Sequence, residues 1–129
     1  MLFSLYDYVD GNGKNAFRSW TVDLQKKQRA KLNEKLDKLA QYGDELYPLL
    51  LAGTTEAGIQ KLKIKGNVQL RPLLCKGPVD QEHEYTLLMG AKEVGGEWSP
   101  INAPTKAFAI RAVVRVNPQT RRKPHERVA

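Results

Sequence analysis

Cysteine and long apolar runs are both scarce in this chain of 129 residues. The single cysteine, Cys75, excludes an internal disulfide and fits a reducing compartment. No apolar run approaches the roughly 18 residues of a membrane-spanning helix, and the N-terminus lacks the pattern of a secretion signal. These absences predict a soluble, cytoplasmic protein with no membrane partner.

Metal and nucleotide motifs are missing as well. No Cys/His cluster has metal-ligand spacing, so we expect no metal site and no cofactor. The glycines at 11–13 and the pair Gly95-Gly96 are typical of turns, because no P-loop pattern follows them. A hydrophobic content of 41% is enough to bury the core of one domain.

Carboxylates are absent from residues 58–78, and within this stretch residues 58–75 have the pattern of a β-hairpin, here called the basic hairpin. The pair Gly66-Asn67 tolerates positive φ and is typical of a hairpin turn. In the first strand Leu62 and Ile64 share one face, which predicts that they are buried. The opposite face then carries three lysines, Lys61, Lys63 and Lys65.

The net charge of +7 is concentrated towards the C-terminus. Residues 103–129 contain seven Lys and Arg against one acid, so the remainder of the chain is nearly balanced. A basic tail and a basic hairpin favour an anionic partner, and nucleic acid is the commonest one. The alternative is that the charge only keeps the protein in solution.

The predicted elements begin with a strand over residues 2–9 and a helix capped by Asn15. Helical periodicity continues to Gly43, either as two helices broken near residues 25–29 or as one long helix. The lysines and arginine of 25–29 have the pattern of a solvated face. After the basic hairpin, residues 85–92 predict a central strand, since they are almost continuously apolar.

The C-terminal part has two interpretations. Pro104 suits the first turn of a helix that runs to about Val116, but residues 108–116 also alternate with the period of a strand. We favour the helix. Residues 121–129, the tail, should be flexible unless another element holds them. The predicted fold is α+β: a small, mostly antiparallel sheet of an N-terminal strand and a three-strand meander, with two helices on one face.

The order strand–helix–helix–three strands resembles the RelE/ParE superfamily of toxins, in particular its phage-associated and HigB-like branch. Residues 58–64 resemble the strand "G-(I/V)-x-E-L-R-(I/V)" of that branch, residues 68–71 its "G-Y-R-V" strand, and residues 87–92 its final strand. The helical positions that carry the likeness are Phe17, Trp20, Leu32, Leu36 and Leu39. The resemblance covers residues 2–98. It implies a RelE-like domain over 1–100, and we expect residues 101–129 to form a C-terminal helical extension and basic tail beyond that domain.

What the resemblance implies is a metal-independent mRNA endoribonuclease, acting in many relatives on the ribosome and neutralised by a cognate antitoxin protein. Such an enzyme needs a base for the attacking 2′-OH, cations for the developing charge and a proton for the leaving oxygen. The matched positions imply catalytic roles for Lys63, Arg71 and Lys92. RNA-binding roles are expected for Lys61, Lys65, Lys76, Arg121, Arg122 and Lys123.

Acid/base groups are harder to assign. His125 could supply one if the tail folds back on the sheet, although a histidine there is more often structural. His83 lies in an acidic loop and is expected to be a surface residue, and Cys75 a core residue. Trp98 and Tyr85 could stack on bases, but burial against the helices is the simpler expectation.

The chain departs from the family pattern in four ways, and the last two of them support a second hypothesis. Lys63 stands where most relatives have arginine, Pro72 interrupts the second strand of the hairpin, no Tyr or His is clearly placed after the last strand to act as base or acid, and the extension from residue 101 is not part of the minimal pattern. The chain could therefore be a non-catalytic binding or assembly protein of phage origin that uses its basic face and tail to hold nucleic acid or protein.

Overall fold

A six-stranded sheet forms the middle layer of the computed structural model, which describes residues 2–129. Its order is β2–β3–β5–β6–β1–β9, with β1 parallel to β6 and the other pairs antiparallel. A smaller sheet has the order β4–β7–β8. The strands are β1 (Ser4–Tyr8), β2 (Leu51–Gly53), β3 (Gln60–Leu62), β4 (Gln69–Leu70), β5 (Leu73–Lys76), β6 (Glu84–Met89), β7 (Lys92–Val94), β8 (Glu97–Ser99) and β9 (Arg122–Pro124).

Strand β6 lies between β5 and β1 and is buried on both faces, which confirms the prediction of a central strand. Tyr85 and Leu87 pack with the N-terminal helices, while Leu88 belongs to the core on the opposite side. This follows from the strand's period of two, which turns successive apolar side chains to alternate faces. The strand ends at Met89, so Lys92 begins β7 instead of closing β6 as expected.

The two N-terminal helices are separate, as the first of the two alternatives predicted. Helix α1 (Ala16–Asp23) begins at Asn15, whose Oδ1 accepts the backbone N–H of Arg18 at 2.9 Å. Helix α2 (Lys26–Tyr42) starts two residues after the buried Leu24. It ends at Gly43, where φ is +55° and a Cβ would lie 2.3 Å from the Phe3 ring, so glycine is required there.

The basic hairpin forms, but it is divided between the two sheets. Leu62 and Ile64 are buried as predicted, and a bridge joins Ile64 to Leu70. The chain then bends at Pro72, which has no N–H for a ladder, so β4 pairs with β7 while β5 returns to β3. Pro72 therefore interrupts the second strand of the hairpin, as its place in the sequence indicated, and the pairing of β5 with β6 shifts register next to it, between Leu73 and Leu74.

Helix α3 (Ala103–Val116) confirms the helical interpretation of the C-terminal part, and the strand alternative is wrong. It packs on the sheet face opposite α1 and α2, through Ala103, Ala107 and Val114. The tail is held by the sheet, because β9 pairs with β1. The sequence did not predict this edge strand.

Candidate nucleic-acid interface

One carboxylate on β7 attracts two of the residues expected on the RNA face. Glu93 Oε1 accepts from Lys61 Nζ at 2.8 Å and from Arg71 Nε at 3.0 Å. The Arg71 guanidinium also donates to the Leu70 carbonyl at 3.0 Å and to the Gln69 side chain, and only 7% of the Arg71 side chain is exposed. The guanidinium of Arg71 is thus engaged inside the protein, between the two sheets.

The electrostatics of this cluster favour a charged Glu93. Partial burial disfavours the charged form of the Glu93 carboxyl, but hydrogen bonds and charge from Lys61 and Arg71 outweigh it and hold its pKa below the usual range. Lys61 also lies 5.4 Å from the centre of the Trp98 ring, within cation–π range. These contacts fix Lys61 beside Trp98, which is half-buried against the core.

The other two lysines of the hairpin line a groove with α2. One cavity of about 450 Å³ contains Lys63, Lys65, Lys31 and Lys35 in its wall. A neighbouring cavity of about 340 Å³ is lined by Lys27, Lys31 and Lys65. We call the two together the lysine groove.

The sign of the charge in the lysine groove is nearly uniform. Five lysines line it against one acid, Glu34, which pairs with Lys35 at 3.4 Å and with Lys38 at 3.6 Å. The Lys31 ammonium approaches the Lys65 carbonyl at 3.5 Å, which places α2 against the hairpin turn. An extended phosphodiester chain fits such a surface, because ammonium groups replace its counterions.

Sequence reasoning assigned the basic residues of 25–29 to a solvated face and missed the part of α2 in the groove. The signal was present in the spacing of Lys27, Lys31 and Lys35, which lie at i, i+4 and i+8 and therefore on one side of the helix. Which side meets the hairpin depends on tertiary packing, so the spacing alone could not have identified the groove.

Lys76 is paired outside this surface, and Lys92 lies on the opposite face of β7 from Glu93, which Arg71 contacts. The Lys76 ammonium contacts the Asp44 carboxylate, which also accepts from the Tyr85 hydroxyl. Lys92 is half-buried in β7, next to Glu93, and successive strand residues point to opposite faces. The structure therefore does not bring Lys63, Arg71 and Lys92 together as one constellation.

The basic residues of the tail differ in their accessibility. Arg122 pairs with Glu84 at 2.6 Å, both side chains are 7% exposed, and the guanidinium lies 4.0 Å from the centre of the Tyr6 ring. Arg121 is half-buried, and its carbonyl accepts the N–H of Val9. Of the three predicted RNA-binding residues in the tail, Lys123 is the exposed one.

The tail also places His125 against a buried carboxylate. His125 Nδ1 lies 2.8 Å from Asp7 Oδ1, and the Asn15 amide donates to the other oxygen of Asp7 at 2.8 Å. His125 lines a cavity of about 460 Å³ with Leu36 and Asp37 of α2. Those positions are on the opposite side of α2 from Lys31, so His125 and the lysine groove are separated by the helix.

The remaining candidates occupy the expected places. Cys75 is buried, and burial raises the pKa of its thiol to about 11. Tyr85 is buried in the core, and His83 is exposed with Nδ1 3.0 Å from Asp80.

Among residues 2–129 there is no group of three or more His, Cys, Asp or Glu side chains that could hold a metal ion.

Over the described part of the chain, no helix combines the length and the apolar composition needed to cross a membrane. In comparisons with known proteins, no family model matches the chain, and neither a curated protein nor a solved structure matches it.

Proposed function

We propose that this protein binds RNA in the lysine groove and acts as a cytoplasmic, RelE/HigB-like toxin that cleaves mRNA without a metal. The lysine groove carries the proposal: five lysines from two elements line it against one acid. The chain order β1–α1–α2 followed by a meander is consistent with the resemblance to these toxins.

Under this proposal the lysines share the work on the RNA backbone. Lys27, Lys31, Lys35 and Lys65 hold successive phosphates, and Lys63 stabilises the charge that develops on the attacked phosphate. Arg71 instead has a structural role, because it holds Glu93, which also binds Lys61. An antitoxin would neutralise the toxin by covering the lysine groove. The ribosome could supply part of the RNA-binding surface.

A second candidate function is non-catalytic binding of nucleic acid. Two observations favour it: the Arg71 guanidinium is already engaged, and His125 lies on the far side of α2 from the groove. A helix is roughly 10 Å across with its side chains, so RNA in the groove would have to pass around α2 to reach His125. Under this candidate the groove binds RNA and releases it unchanged.

RNA binding is tested by removing two exposed lysines. We expect Lys31→Gln/Lys65→Gln to weaken binding of a single-stranded RNA and to reduce the slope of log K against log salt by about 1.4. The matched control, Lys14→Gln/Arg18→Gln, removes the same charge from exposed positions outside the groove. Equal binding and equal slopes for the two variants would refute the groove as the RNA site.

Cleavage is tested by controlled expression in bacteria, with growth and primer extension on a reporter mRNA. Growth arrest with discrete new 5′ ends, lost in Lys63→Gln, would support the toxin. Harmless expression with intact message and salt-sensitive RNA binding would support the second candidate. Arg71→Ala is unsuitable as the inactive variant, because removing a buried, paired guanidinium also threatens the fold.

A further inference from the structure

The outer face of α3 is exposed and mostly apolar, with Thr105 as its polar residue at the N-terminal end, in line with Ala109 and Ala112 at i, i+4 and i+7. Phe108 and Val113 are each 42% exposed, Val116 is 76% exposed, and Ile101, just before the helix, is 74% exposed. Ala109 and Ala112 lie exposed between them. Side chains at i, i+3 and i+7, such as Ala109, Ala112 and Val116, form one stripe along a helix.

This stripe is in addition to the face that α3 already buries. Ala103, Ala107 and Val114 pack on the sheet against Leu73 and Leu88. A helix that is apolar on both sides is typical of one that has a neighbour on both sides. Within residues 2–129, Val113 and Val116 stay exposed, so a second neighbour of α3 would have to come from another molecule.

The shape of the stripe suits a second helix. Alanines 109 and 112 occupy its middle, and the larger Phe108 and Val113 flank them. Small residues in the middle let another helix approach to roughly 8–10 Å between axes, with its side chains between the flanking residues.

The charges beside the stripe are positive. At 3.6 residues per turn Lys106 borders it on the side of Val113, and Arg115 borders it on the side of Phe108. Helix α3 contains no acid. One carboxylate, Glu56, reaches the N-terminal end of the stripe, where it accepts from Thr105 Oγ1 at 3.1 Å, so the positive border concerns the stripe beyond that residue.

We propose that the outer face of α3 docks an amphipathic helix of another protein, with an apolar stripe bordered by Glu or Asp. A second copy of this chain fits poorly, because a two-fold axis would bring Lys106 and Arg115 against the same basic residues of its partner. A membrane surface also fits poorly, because interfacial helices carry large Trp, Phe and Leu side chains where α3 has alanines. The proposal is independent of RNA binding and of toxicity.

The test uses the full chain and two synthetic helical peptides that share an apolar stripe, one with glutamate at its borders and one with lysine. Fluorescence anisotropy should show the glutamate peptide binding at least about tenfold more tightly. Ala109→Gln should weaken that binding about tenfold or more by filling the middle of the stripe. Ala30→Gln, at an exposed position of α2, is the control, since both residue types favour helix.

Charge reversal provides a second arm, in which Lys106→Glu/Arg115→Glu should prefer the lysine peptide. Equal or absent binding of the two peptides to the wild type would overturn the proposal. So would a dimer in sedimentation equilibrium that Ala109→Gln abolishes, because the occupant would then be a second copy. Binding to phosphatidylcholine vesicles only when they contain phosphatidylglycerol, lost in Ala109→Gln, would assign the face to a membrane and overturn it as well.

Discussion

Replacing Glu93 with glutamine removes the negative charge that Lys61 and Arg71 share, while keeping the size of the side chain. Arg71 is 7% exposed and Glu93 is 20% exposed, so water can replace the lost partner only in part. Leaving one partner of a buried ion pair without the other costs about 3–5 kcal/mol. Because the substituted glutamine keeps an acceptor oxygen and Arg71 keeps the Leu70 carbonyl, we expect a loss of about 2 kcal/mol.

The effect should depend on pH in a defined direction. The pKa of Glu93 is lowered from its usual 4.5, since the pull of Lys61 and Arg71 exceeds the opposing effect of burial. The stabilisation from the charged carboxylate is therefore complete above about pH 4.5 and is lost as pH falls through the lower pKa of the folded state. The difference in stability between wild type and Glu93→Gln should shrink over the same range.

Urea unfolding followed by tryptophan fluorescence measures this effect, since Trp98 lies beside Lys61. A loss of about 2 kcal/mol should lower the urea midpoint by about 1 M. Glu97→Gln, at an exposed position of the neighbouring strand, is the control for charge. A double-mutant cycle with Arg71→Met should give a coupling of about 1 kcal/mol or more. If Glu93→Gln and Glu97→Gln agree within about 0.5 kcal/mol, the structural role of the cluster is refuted.

Two further predictions concern the tail and the cysteine. His125→Ala removes one side-chain partner of the Asp7 carboxylate and leaves Asn15 as the other, so we expect faster amide hydrogen exchange in β9 relative to β6. The control, His83→Ala, replaces an exposed histidine and should not change the exchange of β9. If β9 stays protected in both variants, the anchoring role of His125 is contradicted. Cys75 should react with a thiol reagent at pH 8 far more slowly in the folded protein than in urea, because burial raises its pKa to about 11; equal rates would show that the site is open.

Most of the secondary structure followed from local patterns. The Asn15 cap, the end of α2 at Gly43 and the buried pair Leu62 and Ile64 depend on neighbours within a few residues, and the structure has them as expected. The break between α1 and α2 was one of two alternatives. In the structure the helix breaks at Leu24, whose side chain is buried, while Gln25 and Lys26 directly after it are exposed.

The tail shows where local patterns fail. A stretch with almost no apolar content does not predict a strand. Strand β9 forms on the edge of β1 that no other strand of the sheet pairs with. It is held there because Arg122 contacts the buried carboxylate of Glu84, and His125 that of Asp7. Those partners are distant in sequence, so the pattern of the tail contains no trace of them.

The sequence by itself determined the α+β class, the helical character of the segment between Asn15 and Gly43, the central strand β6 and a surplus of basic residues, because each depends on periodicity or composition within short windows. Only the tertiary structure decided which basic residues face solvent together. Lys61 and Arg71 both donate to Glu93, so their charges are paired within the protein. Helix α2 places Lys27, Lys31 and Lys35 beside Lys63 and Lys65 of the hairpin. The physical reason is that the availability of a charge depends on what lies within a few ångströms of it in space, and most of those neighbours are far away along the chain.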